Sequence, residues 1–270
     1  MGLCTYGDIL LINKITPELA EICGIHVGDG YLRDDGKRIE LDISGHIRED
    51  RNYYDTHVAP LFYKVFEIQP TLREFPARGT YGFVIRERKI VKYFHNFLGF
   101  PFGKKARIVR VPQIVMRTRD KETYGSFLRG LFDTDGCLTF QRRYGAYVPF
   151  KKYHNVYPRI ILSTVSERLV LDLGKVLEFL GIHYWIQTYE PSNKKWAQVF
   201  KVWILGEKTL EKWMGEVGFK NPVQFTRYDV WKKLGFCPPN TTLDERMQML
   251  KGIKDNQFWA RGLARIGRQV

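Results

Sequence analysis

Apolar positions along the chain fall into two successive sets with the same order of periods. The first set opens with Thr16-Pro17-Glu18, which offers a helix cap, a proline at the first helical position and an acid in the first turn. "KRIELDI" then alternates Ile39, Leu41 and Ile43 with polar residues, the period of a strand with one buried face. "NYYDTHVAPLFYKVFEI" returns to helical spacing, "PTLREFPARGTYGFVIR" reads as a hairpin, and a third helix follows. The second set repeats this order. Asp120 caps its first helix, "ERLVLDLGKVLEFLGI" is its second, and "HYWIQTYEPSNKKWAQVFKVWIL" is a hairpin turning at Pro-Ser-Asn. Each set is αββαββα, so the expected fold class is α+β.

The two sets are related in sequence as well as in pattern. "LAEICGIHVGDGYL" (19–32) aligns with "SFLRGLFDTDGCL" (126–138), placing Gly24, Asp29 and Gly30 on Gly130, Asp135 and Gly136 at an offset of 106. "DISGH" (42–46) with "ILSTV" (161–165), and "VIRERKIVKYFHNFLGF" (84–100) with "WILGEKTLEKWMGEVGF" (203–219), share an offset of 119. The second copy therefore carries an insertion after its motif. Two related halves, 1–118 and 119–236, precede a basic helical extension, 237–270, whose helix is capped at Thr241 or Thr242.

Both first helices end in aspartate-glycine, where a carboxylate meets the negative end of the helix dipole at a cost of about 0.3–1 kcal/mol. Gly24 and Gly28 lie four apart on one helix, and Gly130 and Thr134 lie four apart on the other. Small residues at that spacing let two helices approach closely. Packed about a pseudo-two-fold, the helices bring Asp29 and Asp135 together, and a divalent cation relieves the repulsion. Mg²⁺ suits hard oxygen donors, with Mn²⁺ as its substitute. Metal between carboxylates above a basic surface is an arrangement for phosphodiester hydrolysis.

"LRGLFDTDG" and "ICGIHVGDG" resemble the two motifs of single-chain LAGLIDADG homing endonucleases, and the likeness extends over most of 10–236. The resemblance implies two pseudo-two-fold-related αββαββα repeats with saddle-shaped antiparallel sheets, and a helix interface of Gly24, Gly28, Gly130 and Thr134. It implies Asp29 and Asp135 as the metal-binding catalytic pair, with carbonyls from Gly28 and Thr134. It also implies basic residues near the metals: Lys104 or Lys105 in "GFPFGKKAR" and Lys220 in "GFKNP". The chain departs from the pattern at His26 and Val27, and at the strand positions Gly45-His46 and Thr164-Val165. The implied function is site-specific cleavage of both strands of double-stranded DNA at a long asymmetric target, as in intron homing, by a monomer. The alternative is a relative that binds without cutting, an RNA maturase on intron RNA or a DNA-binding regulator.

Composition points the same way. With 270 residues, a net charge of +14 and 44% hydrophobic residues, the chain is a folded protein suited to a polyanion. In the first half Arg33, Lys37 and Arg38 are candidate DNA contacts. The insertion 137–160 adds Arg142, Arg143, Lys151, Lys152 and Arg159 without an acid, interleaved with aromatics, and the linker 101–119 carries six more basic residues. Apolar runs fall short of the ~20 residues of a membrane span. The start lacks a signal-peptide pattern, and Cys4, Cys23, Cys137 and Cys237 form no CxxC pair, so the expected setting is intracellular and cytoplasmic. The start, neither Cys nor Ser, and the Gln-Val end speak against an intein. "DTDG" lacks the later acids of a calcium loop, and its helical context and Val27 in the first copy argue against a phosphatase nucleophile. His26, His57 and His95 read as core or surface residues.

Overall fold

A computed structural model describes residues 4–6, 9–11, 14–141, 157–193 and 196–252. Strands β1 (Cys4–Tyr6) and β2 (Ile9–Leu11) pair as a short antiparallel ribbon, an element beyond the expected seven of the first half. The repeat proper begins with α1 (Pro17–Asp29), where Thr16 Oγ1 accepts from Leu19 N as the sequence predicts. β3 (Gly30–Asp34) and β4 (Ile39–His46) follow. A helical arm comes next: α2 (Arg51–Tyr53), a wide turn Tyr54–Val58, and α3 (Ala59–Phe66). Then come β5 (Arg73–Phe75), β6 (Thr80–Ile85) and α4 (Arg88–Asn96).

After the short linker helix α5 (Gln113–Met116) the order recurs. α6 (Lys121–Thr134) is capped by Asp120, and β7 (Gly136–Gln141), β8 (Tyr157–Thr164) and α7 (Glu167–Phe179) follow. β9 (Trp185–Tyr189), β10 (Val199–Leu205) and α8 (Glu207–Glu216) close the second half. Two further helices, α9 (Pro222–Leu234) and α10 (Leu243–Leu250), complete the described chain. α9 is an addition to the expected order. Thr242, with Glu245, forms the capping box of α10.

The two sheets have one topology, β3-β4-β6-β5 and β7-β8-β10-β9, and every pairing is antiparallel. Alternation decides their faces. Leu41 and Ile43 point into the core while Asp42 and Ser44 lie on the opposite face, and Phe200, Val202 and Ile204 are buried where Lys201 and Trp203 are not.

The halves meet at α1 and α6, and the glycines explain how closely. A Cβ at Gly24 would lie 2.1 Å from the Phe127 carbonyl oxygen, and one at Gly130 would lie 2.2 Å from that of Glu21. A Cβ at Gly28 would lie 2.1 Å from Thr134 Oγ1. Backbone thus meets backbone reciprocally, which only side chains of this size allow. The seam also holds a buried ion pair. Arg129 donates to Glu21 Oε2 at 2.6 Å, and His57 Nε2 lies 2.5 Å from Glu21 Oε1.

Candidate active site

α1 and α6 end side by side, so Asp29, the last residue of α1, and Asp135, which caps α6, reach one cleft. Asp29 is half-buried. Tyr54 OH donates to its Oδ2 at 2.7 Å, delivered by the wide turn that begins at Tyr54. Gly45 lies against it as well: a Cβ there would come within 2.8 Å of both Asp29 Oδ2 and Asp50 Oδ2. The absence of a side chain at Gly45 makes room for two carboxylates.

Burial pushes the Asp29 carboxyl up to about 8, with Asp50 and Asp135 adding to the rise and Tyr54 and Lys105 opposing it. Asp50 is raised too, chiefly by burial, though Asn221 and the backbone of His46 donate to it. Asp135 is more open to solvent. Enclosure of its carboxylate raises it, against the pull of Lys105.

Lys105 is the cation among these acids. Its Nζ donates to the Gly28 carbonyl at 2.9 Å and to the Gly30 carbonyl, those of the two residues on either side of Asp29. With Gly28, Asp135, Ser163 and Thr164 it lines a cavity of about 310 Å³. Lys104 is exposed. Lys220 presents its side chain to solvent, and its backbone N–H donates to Asp133 Oδ2 at 2.7 Å. Asp133, the other acid of the second motif, is therefore a buried anchor for the start of α9, not part of the cleft. The Thr134 hydroxyl turns back to the Gly130 and Leu131 carbonyls.

α9 holds the second motif from outside. Asn221 donates to the Asp133 carbonyl, Gln224 Nε2 donates to that of Gly136 at 3.0 Å while its Oε1 accepts from Leu138 N, and Arg227 donates to the Leu138 carbonyl. Sequence reasoning missed Tyr54, Asp50, Asn221 and Gln224. Gln224 did have a signal: the offset of 119 that aligns the third helices places it opposite Lys105.

The donor set fits a divalent cation. A carboxyl whose pKa is raised chiefly by burial and further by two neighbouring acids, beside a second carboxylate and a peptide carbonyl, is a hard-oxygen environment suited to a divalent cation. Asp29, Asp135 and the Gly28 carbonyl would hold such an ion. Among the described residues no cluster of three or more His, Cys, Asp or Glu is arranged for a metal, so carbonyls must complete the set.

The other basic candidates lie on the two sheets and their turns. Arg33 is on β3, tied to Asp35 and near Glu40. Lys37 and Arg38 are exposed in the β3–β4 turn, where their backbone amides bind Asp35. On the second sheet Arg159 stacks over Trp203 at 5.2 Å, and burial lowers its pKa. Arg142, Arg143, Lys151 and Lys152 lie outside the described residues. The linker is less of a solvated basic band than expected. Val109, Val111 and Val115 are buried and Arg110 is paired with Asp172. His26 sits in the core between Phe94 and Phe100, neutral because burial lowers its pKa.

Residues 122–218 match the LAGLIDADG-like domain family. The structure of the meganuclease I-SmaMI bound to uncleaveable DNA superposes with a TM-score of 0.52 at 10% identity, over 88% of this chain and 97% of that one. Curated relatives include the ribonucleoside-diphosphate reductase NrdEB subunit alpha of Bacillus subtilis, 22% identical over 84% of this chain, and the tRNA-splicing ligase RtcB of Methanopyrus kandleri, 26% identical over 80%. The chain spans about a fifth of the length of these relatives, 21% of each. Since a reductase and an RNA ligase have no chemistry in common, their names do not describe the matched segment. Residues 122–218 thus match a LAGLIDADG-like domain, and the chain as a whole shares the fold of the meganuclease I-SmaMI.

Proposed function

We propose that this chain is a divalent-metal-dependent, site-specific endonuclease that cuts both strands of DNA, with Mg²⁺ or Mn²⁺ as its ion. One observation carries the reading: Asp29 and Asp135 stand at the paired ends of α1 and α6, with the Lys105 ammonium interacting with both. When bound, a divalent ion supplies Lewis-acid activation of water and charge stabilisation at the leaving oxygen. The chain's own groups do the rest. Asp29 and Asp135 place negative charge where the ion is held, Tyr54 fixes the orientation of the Asp29 carboxylate, and Lys105 presents an ammonium toward the scissile phosphate. Arg33, Lys37, Arg38 and Arg159 contact the duplex backbone and base edges along the sheets. Arg142, Arg143, Lys151 and Lys152 are further candidate DNA contacts by their sequence alone. The two halves differ throughout, so the target is asymmetric.

The test is cleavage. The protein is incubated with Mg²⁺ or Mn²⁺ and a randomised double-stranded library, beside Asp135→Asn, and new ends are sequenced. Recurrent breaks around one long motif, absent in the variant, are expected. Specific binding without breaks in either metal would sink the nuclease and leave a DNA-binding regulator or an RNA-binding maturase.

A further inference from the structure

The two sheets share one topology, so their outward faces can be compared position by position. The offset of 119 places Glu40 and Asp42 of β4 on Arg159 and Ile161 of β8, and Val84 of β6 on Trp203 of β10. The strand pairing obeys it. Asp42 lies opposite Val84 in the first sheet, and Ile161 lies opposite Trp203 in the second. One scaffold therefore presents two different chemistries.

On the first face the cations are braced by acids. Arg78 donates to Asp42 Oδ2 at 2.6 Å, while the Ser44 hydroxyl donates to Oδ1. Arg33 lies against Asp35 and near Glu40, and Arg86 Nε is 3.6 Å from Glu40. A guanidinium steadied in this way keeps N–H groups for the O6 and N7 acceptors of guanine.

On the second face the acids are gone: β7, β8, β9 and β10 contain neither Asp nor Glu. A row of Cys137, Ile161, Trp203 and Trp185 crosses all four strands. Trp185 is 66% exposed, and Trp196 in the β9–β10 connection is 71% exposed, more than any other large apolar side chain among the described residues. Cations here lie over rings, Arg159 over Trp203 at 5.2 Å and Lys201 over Tyr189 at 4.5 Å. The face is apolar and positively charged at once, which fits a polyanion that carries methyl groups.

At one end of this face Ser163 and Val199 line the cavity that Asp135 also lines. From Val199 to Leu205 the strand then runs about 20 Å, at roughly 3.3 Å per residue, the length of about six base pairs. In the major groove thymine alone shows a methyl group, whereas cytosine shows an N4 donor that a carboxylate would accept.

We propose that the second sheet reads thymine methyl groups through Ile161, Trp203, Trp185 and Leu205, while the first reads guanine through Arg33, Arg78 and Arg86, so that the target has a thymine-rich half and a guanine-rich half. This rests on the DNA-binding reading. It also separates DNA from RNA, whose uracil lacks the methyl group.

The experiment is a fluorescence-anisotropy titration of the selected target duplex in EDTA, where binding is read without cleavage. In each half-site in turn, thymine is replaced by deoxyuridine, which removes only the methyl, or guanine by 7-deazaguanine, which removes only N7. Because the change is in the DNA, the fold of the protein is not at issue. Deoxyuridine in one half-site alone is expected to weaken binding about fourfold for each contacted thymine. In the other half-site 7-deazaguanine is expected to weaken it about tenfold for each contacted guanine. Trp185→Ala should shrink the deoxyuridine loss and leave the 7-deazaguanine loss standing, and Arg78→Ala should do the converse. Equal losses in both half-sites, deoxyuridine tolerated throughout, or a deoxyuridine loss unchanged in Trp185→Ala would overturn the proposal while leaving sequence-specific DNA binding intact. The absence of sequence-specific duplex binding would overturn both.

Discussion

Asn221 of the second half donates its amide to Asp50 of the first at 2.9 Å, and the same nitrogen donates to the Asp133 carbonyl at 2.9 Å. Its Oδ1 meanwhile accepts from Val223 N, capping α9. One buried side chain therefore fixes a cleft carboxylate, the second motif and a helix start. Asn221→Ala leaves these groups unpaired and is expected to cost about 1–3 kcal/mol. Urea unfolding measures this, and a cost under a few tenths of a kcal/mol would remove Asn221 from that role.

A seam glycine and a surface glycine predict opposite signs for one substitution. Gly24→Ala drives a methyl into the backbone of α6, at 2.1 Å from Phe127 O and 2.7 Å from Leu131 N, and should destabilise by at least about 1–3 kcal/mol. Gly215 lies within α8 and nothing lies within 4 Å of an added Cβ. Gly215→Ala should stabilise by about 0.5–1 kcal/mol. Unfolding midpoints of the two variants should move in opposite directions.

Asp29 sets a pH dependence of stability. Its carboxyl is raised to about 8 in the fold, from an ordinary 3.8, so the folded state holds the proton more tightly than the unfolded one. Stability from this group is present below about pH 4 and is lost as pH rises through about 8. Without divalent ions, Asp29→Asn should gain on the wild type progressively from pH 4 to pH 8. A gap that does not widen across that range in thermal melts would contradict the burial of this charge.

Divalent ions should reverse the effect. Near pH 8, Mg²⁺ or Mn²⁺ at 100 times its dissociation constant should stabilise the wild type by about 2.7 kcal/mol. Asp29→Asn and Asp135→Asn should lose most of that gain, and EDTA should abolish it in the wild type. An unchanged melting temperature across a metal titration would count against a bound ion.

The basic surface predicts steep salt dependence. A protein neutralising some 6–10 phosphates should lose about 10³–10⁵ in affinity between roughly 50 and 200 mM salt. Fluorescence anisotropy on a duplex measures the slope. A slope near zero would exclude a phosphate-binding face.

How much of this was legible depends on how far each contact reaches. The repeat, the glycine faces and the two helix-ending aspartates are local patterns, and the structure places Asp29 and Asp135 as the patterns require. Lys105 stood among three candidate lysines, and only geometry separated it from exposed Lys104 and Lys220. Asp50 lies just before, and Tyr54 within, the stretch that reads as the second helix, and only the wide turn at Tyr54–Val58 aims the tyrosine at Asp29. Asn221 sits beside a lysine that drew attention for its charge. Gln224 escaped because a search for charge passes over an amide, although counting along the repeat leads to it.

The splint that α9 lays along β7 has a consequence for solubility. β7 is an outer strand of its sheet, and Gln224 and Arg227 occupy the outward peptide groups of Gly136 and Leu138. An uncovered edge of that kind pairs readily with strands of other molecules. Truncation before α9 would therefore do more than loosen Asp133. It would leave an adhesive border on the second sheet, and the shortened chain would aggregate through it.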